Sequence, residues 1–371
     1  MVTPENLQYL IAISLIPGIG CITARSLIAY LGQAERVFRE SGKSLMRIPG
    51  IGEINAQRIV TARNEALARA EAELQFIEQN KLQYFVYTET DYPARLKNCS
   101  DAPLVLFFKG SCSLNEPKVL SVVGTRNATN YGKQVCDELI GALAQRGYPV
   151  VVVSGLAYGI DIQIHKACLK HDIPTVGVLG HGLDQLYPSL HKPIAAKMIE
   201  NGGLLTDFVS GSKIDRQNFL RRNRIIAGLA DATVIVESAE KGGALVTADI
   251  ANSYNRDVFA FPGRCNDLYS RGCNKIIKLN EAALVENLED IERAMGWNIA
   301  TKAPQVWQPC LFSDLTPEEE QIVETLRSGQ RFVDELSQSV ELPVSRVSSI
   351  LLGLEFKGIV ASLPGKVYAL R

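Results

Sequence analysis

Lys118-Val119-Leu120-Ser121-Val122-Val123-Gly124-Thr125-Arg126-Asn127-Ala128-Thr129 is the stretch that decides the fold. Its first half is an apolar, β-branched run, the pattern of a short buried strand. Gly124-Thr125-Arg126 then ends the strand, and Thr129 stands where an N-cap would open a helix over roughly 131–146. Gly124 lets the backbone approach a ligand closely, and Arg126 offers a forked charge that suits a phosphate.

The same strand–turn–helix order repeats downstream. Apolar runs at Pro149–Val153, Thr175–Leu179, Thr233–Val236 and Asp257–Phe261 alternate with helical stretches near 160–171, 189–201, 217–229 and 244–254. Strands apolar on both faces, separated by helices, predict an α/β fold with a parallel, doubly wound sheet. Right-handed crossovers would then place the loops after each strand along one edge, where such sheets bind ligands.

Three of those loops carry functional chemistry. The first is the Gly124-Thr125-Arg126 turn. The second, Val153-Ser154-Gly155-Leu156-Ala157-Tyr158-Gly159-Ile160-Asp161, offers free amides and the Ser154 hydroxyl to an anion. His165 follows Asp161 by one helical turn, and the pair reads as a helix-stabilising hydrogen bond. No G-x-S-x-G elbow surrounds Ser154, which argues against a hydrolase triad. The third loop, Lys213 to Arg224, holds five cations and one carboxylate, with Phe219 inside. Phosphate contacts beside a stacking platform are the chemistry of single-strand binding; a solvated helix face with Phe219 in the core is the plainer alternative. Gly242-Gly243 opens a further helix, and Phe261-Pro262-Gly263 and Arg271-Gly272-Cys273-Asn274 complete the edge.

Residues 1–80 read as helical. Ile16-Pro17-Gly18-Ile19-Gly20 and Ile48-Pro49-Gly50-Ile51-Gly52 nearly repeat, each leading into a helix, as in a tandem helix-hairpin-helix unit. Charges balance there, eight acidic against eight basic, so no basic face is evident. Residues 81–297 hold the sheet, 298–315 read as a linker, and 316–371 read as three short helices with a β-hairpin wing. Thr316 caps the first of these helices with Pro317 at its start. The third, Pro343 to Lys357, carries only Arg346 and Lys357 as cations, so packing or protein contact is favoured over groove reading.

Composition bounds the rest. The chain has 371 residues and a net charge of -1, so any nucleic-acid site must be a local basic patch. No apolar stretch is long enough to span a membrane and the start lacks a basic signal region, so a cytoplasmic protein is expected. The eight cysteines (21, 99, 112, 136, 168, 265, 273 and 310) are scattered without C-x-x-C and read mostly as reduced, buried apolar residues. The four histidines lack metal-ligand spacing, and no metal is expected. Ser41-Gly42-Lys43-Ser44 imitates the end of a phosphate loop, but Val37 stands where its first glycine should be. No G-x-G-x-x-G follows an expected strand, so no nucleotide cofactor is expected.

Together these residues resemble the DprA/Smf family of DNA-processing proteins. The resemblance runs from Tyr92-Pro93-Ala94-Arg95-Leu96 and Ala102-Pro103-Leu104-Val105-Leu106 through Val123-Gly124-Thr125-Arg126, Ser154 to Asp161, and His165. It continues with Gly182-Leu183-Asp184, Tyr187-Pro188, Phe219 to Leu229 and Pro262-Gly263. It implies an extended Rossmann-like domain flanked by an N-terminal helix-hairpin-helix, SAM-like domain and a C-terminal winged-helix-like domain. It also implies a non-enzymatic dimer that binds and protects single-stranded DNA and helps load the RecA recombinase in natural transformation or recombination. On that reading Arg126 holds a phosphate, Ser154 and Gly155 add anion contacts, Arg216 is the basic residue before Phe219, and Phe219 meets a base. Gly124, Thr125, Arg222, Asn223, Arg224, Gly242 and Gly243 complete the expected DNA site. Arg216 stands where lysine is common, Leu220 where proline is frequent, and Gly242-Gly243-Ala244 replaces a Ser-Gly-Ser/Ala turn.

Two other classes stay in view. Related sheets hydrolyse nucleotides with a Pro-Gly-Gly-x-Gly-Thr-x-x-Glu loop; aligned on Gly242-Gly243, Lys241, Leu245 and Val246 depart from it, and Asp249 falls at the glutamate. A helix-hairpin-helix nuclease needs converging carboxylates, and Asp161, Asp184 and Asp207 lie on different loops.

Overall fold

The computed structural model describes residues 3–297, 315–327, 329–357, 359–363 and 367–370. The chain forms two compact units, residues 1–298 and 299–371. The expected linker over 298–315 lies, but for Leu315, outside the described residues, as do Cys310 and the Pro364-Gly365 turn of the wing.

The first unit opens with α1 (Pro4–Leu15), α2 (Cys21–Leu31), α3 (Ala34–Arg39), α4 (Gly42–Leu45) and α5 (Glu53–Gln79). The two near-repeats adopt one geometry. Gly18 and Gly50 take φ of 80° and 82°, open only to glycine at low cost, and Gly20 and Gly52 cap α2 and α5 from extended backbone. Ile16, Ile19, Ile48 and Ile51 of these turns are all buried. They share one apolar cluster with Val86, Val105 and Phe107 of the sheet, so the helical layer and the sheet pack as one body.

The sheet has nine strands: β1 (Gln83–Val86), β2 (Val105–Gly110), β3 (Lys118–Val123), β4 (Val150–Ser154), β5 (Thr175–Val178), β6 (Gly202–Thr206), β7 (Ala232–Ile235), β8 (Asp257–Ala260) and β9 (Ala283–Leu284). Their order is β1-β2-β6-β5-β4-β3-β7-β8-β9. Between them lie α6 (Ala94–Lys97), α7 (Asn130–Arg146), α8 (Ile160–Lys170), α9 (Lys192–Glu200), α10 (Arg216–Leu229), α11 (Gly243–Ser253), α12 (Arg271–Lys278) and α13 (Leu288–Met295). Strands β4 to β7 are buried along their whole length, as two-sided helical cover requires.

The sheet is mostly parallel, as expected. It is mixed, not wholly parallel: β1 pairs antiparallel with β2, and β2 antiparallel with β6. Between β1 and β2 the chain has only one short helix, the four-residue α6. Strand β6 is not among the strands expected from the sequence, where a helix was ended near residue 201 and the Asn201-Gly202-Gly203 turn signal passed over; β1, β2 and β9 are not among them either.

From β3 the chain steps outward through β4, β5 and β6, then returns to lay β7 on the other side of β3. That reversal opens a crevice at the carboxyl ends of β3 and β7.

The second unit contains α14 (Pro317–Leu326), β10 (Arg331–Phe332), α15 (Val333–Ser339), α16 (Val344–Phe356), β11 (Val360–Leu363) and β12 (Val367–Leu370). Thr316 closes a reciprocal capping box with Glu319. Ile322, Leu326, Leu336, Val347, Leu351 and Val360 make its core. Both cations named for the third helix are taken up inside this unit, Arg346 by Glu318 at 2.8 Å and Lys357 by Glu319 at 2.8 Å. Its exposed side includes Leu352 and Phe356 instead.

Candidate nucleic-acid interface

A cavity of about 460 Å³ sits at the reversal point between β3 and β7. Its walls bring together Gly124, Thr125 and Arg126 after β3, Arg216, Phe219, Arg222 and Asn223 of α10, and Gly242 and Gly243 at the start of α11. Ala157, Asp161, Leu220, Ile226, Ala239 and Thr247 also line it.

The Arg126 loop is clamped from two sides. Glu237, two residues after β7 and 2 % exposed, accepts from the Thr129 amide at 2.9 Å and the Thr129 hydroxyl at 2.6 Å. Its own carbonyl accepts from the Thr125 amide at 2.7 Å. On the other side Ile160 N donates to the Thr125 carbonyl at 3.0 Å. Gly159 makes that approach possible: it takes φ 79° and ψ -127°, and a Cβ there would lie 2.1 Å from Thr125 O. Glu237 was missed from the sequence, where its one signal is a carboxylate at the end of an apolar strand.

Helical phase sorts the cations of the 213–224 segment. Arg216, Phe219, Leu220 and Asn223 share the face of α10 that lines the cavity. Arg224 leaves it for the N-terminal layer, where it pairs with Asp207, donates to the Asp101 carbonyl at 2.5 Å and meets Cys21 Sγ at 3.7 Å. Those partners hold its side chain away from the cavity lining. Arg221 lies over the Phe208 ring, 5.7 Å from its centroid.

Arg222 is buried at the cavity floor, where one Nη donates to the Val178 carbonyl and Nε has no hydrogen-bond partner among the described residues. Burial pulls its pKa down to about 10, against the pull of Asp161, so it stays charged at neutral pH. Burial pushes the Asp161 carboxyl up, opposed first by Arg222, then by the Ala157 amide and Arg126. Arg126 and Arg216 are exposed and make no ion pair or hydrogen bond among the described residues. The cavity thus gathers three guanidinium groups around one carboxylate. Gly242 caps α11 without a side-chain hydrogen bond, which leaves amides of that helix turned to the same space.

Two residues expected to contact an anion, Ser154 and Gly155, are not among the cavity walls. Ser154 is fully buried and its hydroxyl donates to the Val122 carbonyl at 2.6 Å, so it tethers β4 to β3. Gly155 lies outside the cavity wall, and its carbonyl accepts from His165 Nε2 at 2.5 Å. His165 does not bond Asp161 as the i, i+4 spacing implied. Its Nδ1 meets the Thr175 hydroxyl at 2.7 Å, and burial lowers its pKa to about 4. Of the carboxylates weighed for other chemistries, Asp184 accepts from the Gly211 amide at 3.0 Å and Asp207 holds Arg224, so neither joins Asp161. Asp249 is not among the cavity walls.

Comparison with known proteins gives one consistent result. The family model described as DNA recombination-mediator protein A matches residues 83–296, a DprA winged helix model matches 312–366, and a SAM-like helix-hairpin-helix tandem matches 9–65. Protein Smf of Synechocystis is 30% identical over 98% of this chain and 98% of its own length. The DNA processing protein DprA of Bacillus subtilis is 39% identical over 54% of this chain and 67% of its own. The X-ray structure of DNA processing protein A from Streptococcus pneumoniae superposes with a TM-score of 0.63 at 30% identity, covering 79% of this chain and 98% of that one. DNA processing protein A from Helicobacter pylori, solved to describe a single-stranded DNA binding mode, gives 0.52 at 27% identity, covering 58% and 96%.

Proposed function

Because this chain belongs to the DprA/Smf family of DNA-processing proteins, we propose that its sheet-edge cavity grips the backbone of single-stranded DNA without cutting it. The observation that carries this is the convergence of Arg126, Arg216 and Arg222 with Phe219 in one crevice, two of the arginines being exposed and unpaired among the described residues.

Each part has a physical role. Arg126 and Arg216 offer forked donors to phosphate oxygens, a match for planar bidentate contact. Arg222 fixes positive potential at the floor, and Asp161 beside it limits how much of that charge reaches the ligand. The α11 amides add neutral donors. Phe219 stacks a base, worth about 1–3 kcal/mol whatever its identity. None of these contacts reads sequence, so the grip is general. Among the described residues only Asp161 brings a carboxylate to the cavity, which supports binding over nucleotide hydrolysis.

A single site of this size is modest, so a homodimer that engages two stretches of one strand would gain by effective concentration. The family relation supports a role in protecting incoming DNA and passing it to the RecA recombinase during natural transformation or recombination. Fluorescence anisotropy with labelled single-stranded oligonucleotide, against duplex competitor over a salt series, tests the reading. Preference for the single strand with a negative log–log salt slope is expected. Absence of binding at low salt would overturn it, and turnover of free nucleotide would replace it with the hydrolase.

A further inference from the structure

Two tyrosines beside the cavity have no part in the site as described. Tyr187 and Tyr158 are 47% and 45% exposed. They sit on the loops after β5 and β4, at the same sheet edge as Arg126. Tyr187 packs on Phe219, with ring centroids 5.8 Å apart and planes tilted by 45°. Tyr158 meets the His191 ring edge-on at 5.1 Å.

The two rings belong to one rim. His191 N donates to the Pro188 carbonyl at 3.0 Å, closing the turn that begins at Tyr187. His191 Nδ1 meets the Leu156 carbonyl at 2.8 Å, which ties that turn to the loop carrying Tyr158. His191 is itself buried, so the ring beneath Tyr158 is a fixed support. Next to Tyr158, Gly159 lies against Thr125 and Arg126. A continuous row therefore runs from Phe219 through Tyr187 and the 188–191 turn to Tyr158, and it ends at the Arg126 loop. Both ends of the row are walls of the cavity.

We propose that Tyr187 and Tyr158 form a second stacking shelf, which holds bases of the strand whose phosphates lie in the cavity. This deepens the reading of the cavity and rests on it. The bases of the bound strand are the occupant that fits, because the row is continuous with the cavity and bounded by Arg126 and Arg216. Half-exposed rings on fixed supports lose little freedom when a base settles on them, and stacking tolerates any base. The grip would then extend past a single Phe219 contact, with backbone and bases held on adjoining surfaces.

The test uses the full chain and a labelled thymidine oligomer of roughly 20 nucleotides, beside the same oligomer with abasic sugars throughout. Tyr187→Ala and Tyr158→Ala should each weaken binding of the thymidine oligomer about tenfold. Binding of the abasic oligomer should stay within about twofold of the unsubstituted protein, because its phosphates still reach the arginines. Tyr187→Phe keeps the ring and should restore binding, while Tyr158→Ala leaves the packing on Phe219 intact and so separates the shelf from that packing. Equal weakening on both oligomers would make the effect structural and refute the shelf. Wild-type binding by both alanine variants would refute it too, while the cavity reading would still stand on Arg126→Ala. Normal binding by Arg126→Ala would refute the cavity, and the shelf with it.

Discussion

Replacing Arg126 by alanine separates a phosphate grip from a structural role more cleanly than any other single change. The side chain is exposed and bonds to no described residue, while its loop is held through Thr125, Thr129 and Ile160. Folding stability should therefore move by less than about 0.5 kcal/mol. One charge-assisted hydrogen-bonding contact is worth about 1.5–3 kcal/mol, which predicts a loss in affinity of about 10- to 150-fold at low salt. Loss of one phosphate contact should also flatten the log–log salt slope by about 0.7 for a single strand. Between roughly 50 and 200 mM salt, the gap between variant and parent should then narrow by about 2.6-fold. Arg126→Lys should restore the slope but only part of the affinity, since a point charge replaces a planar fork. Anisotropy titrations at four salt concentrations, paired with urea unfolding, measure all three quantities. An unchanged slope with weakened binding would mean that Arg126 shapes the loop and meets no phosphate. Unchanged affinity would place the strand elsewhere.

Other consequences follow from the same geometry. Ser154→Ala should cost about 1–2 kcal/mol of stability by removing a buried donor from Val122, yet leave DNA affinity within about twofold; a large affinity loss would return Ser154 to the binding site. Gly159→Ala should destabilise by about 2–5 kcal/mol, because its backbone conformation and the Thr125 carbonyl both exclude a Cβ; an unchanged urea midpoint would refute the clamp. His165 is held neutral with its pKa depressed to about 4 from 6.5, so its contribution is present above about pH 6.5 and lost as pH falls toward 4. About 2 kcal/mol should disappear between pH 7 and pH 5. Asp161, whose pKa is raised, acts in the opposite sense, its contribution being lost as pH rises. Urea midpoints over that range should fall for the parent and stay flatter for His165→Gln, and parallel curves would remove His165 as the cause.

Much of the site was legible because it is local. Strand, glycine turn and helix are contiguous in Val123-Gly124-Thr125-Arg126, so the sequence alone placed Arg126 at a sheet edge, and the same holds for Gly242-Gly243. The paired Pro-Gly turns of the N-terminal layer were legible too, since only glycine sits easily at the positive φ of Gly18 and Gly50. The hydrogen-bond partners of Ser154 and His165 were not legible, for one reason. Their partners, Val122, Gly155 and Thr175, include residues on neighbouring strands, and helical spacing or loop position carries no information about a neighbouring strand.

The sequence by itself determined the alternation of strands and helices, the glycine turns that bring backbone to one edge, and the presence of cations around Phe219. Tertiary structure alone decided which of those cations line the cavity. Arg216, Arg222 and Arg224 lie within three turns of one helix, but the phase of α10 between the cavity and the N-terminal layer sends Arg216 to the crevice, buries Arg222 at its floor and gives Arg224 to Asp207. A count of charges along the chain cannot make that division, because it depends on which side of the helix the rest of the protein covers.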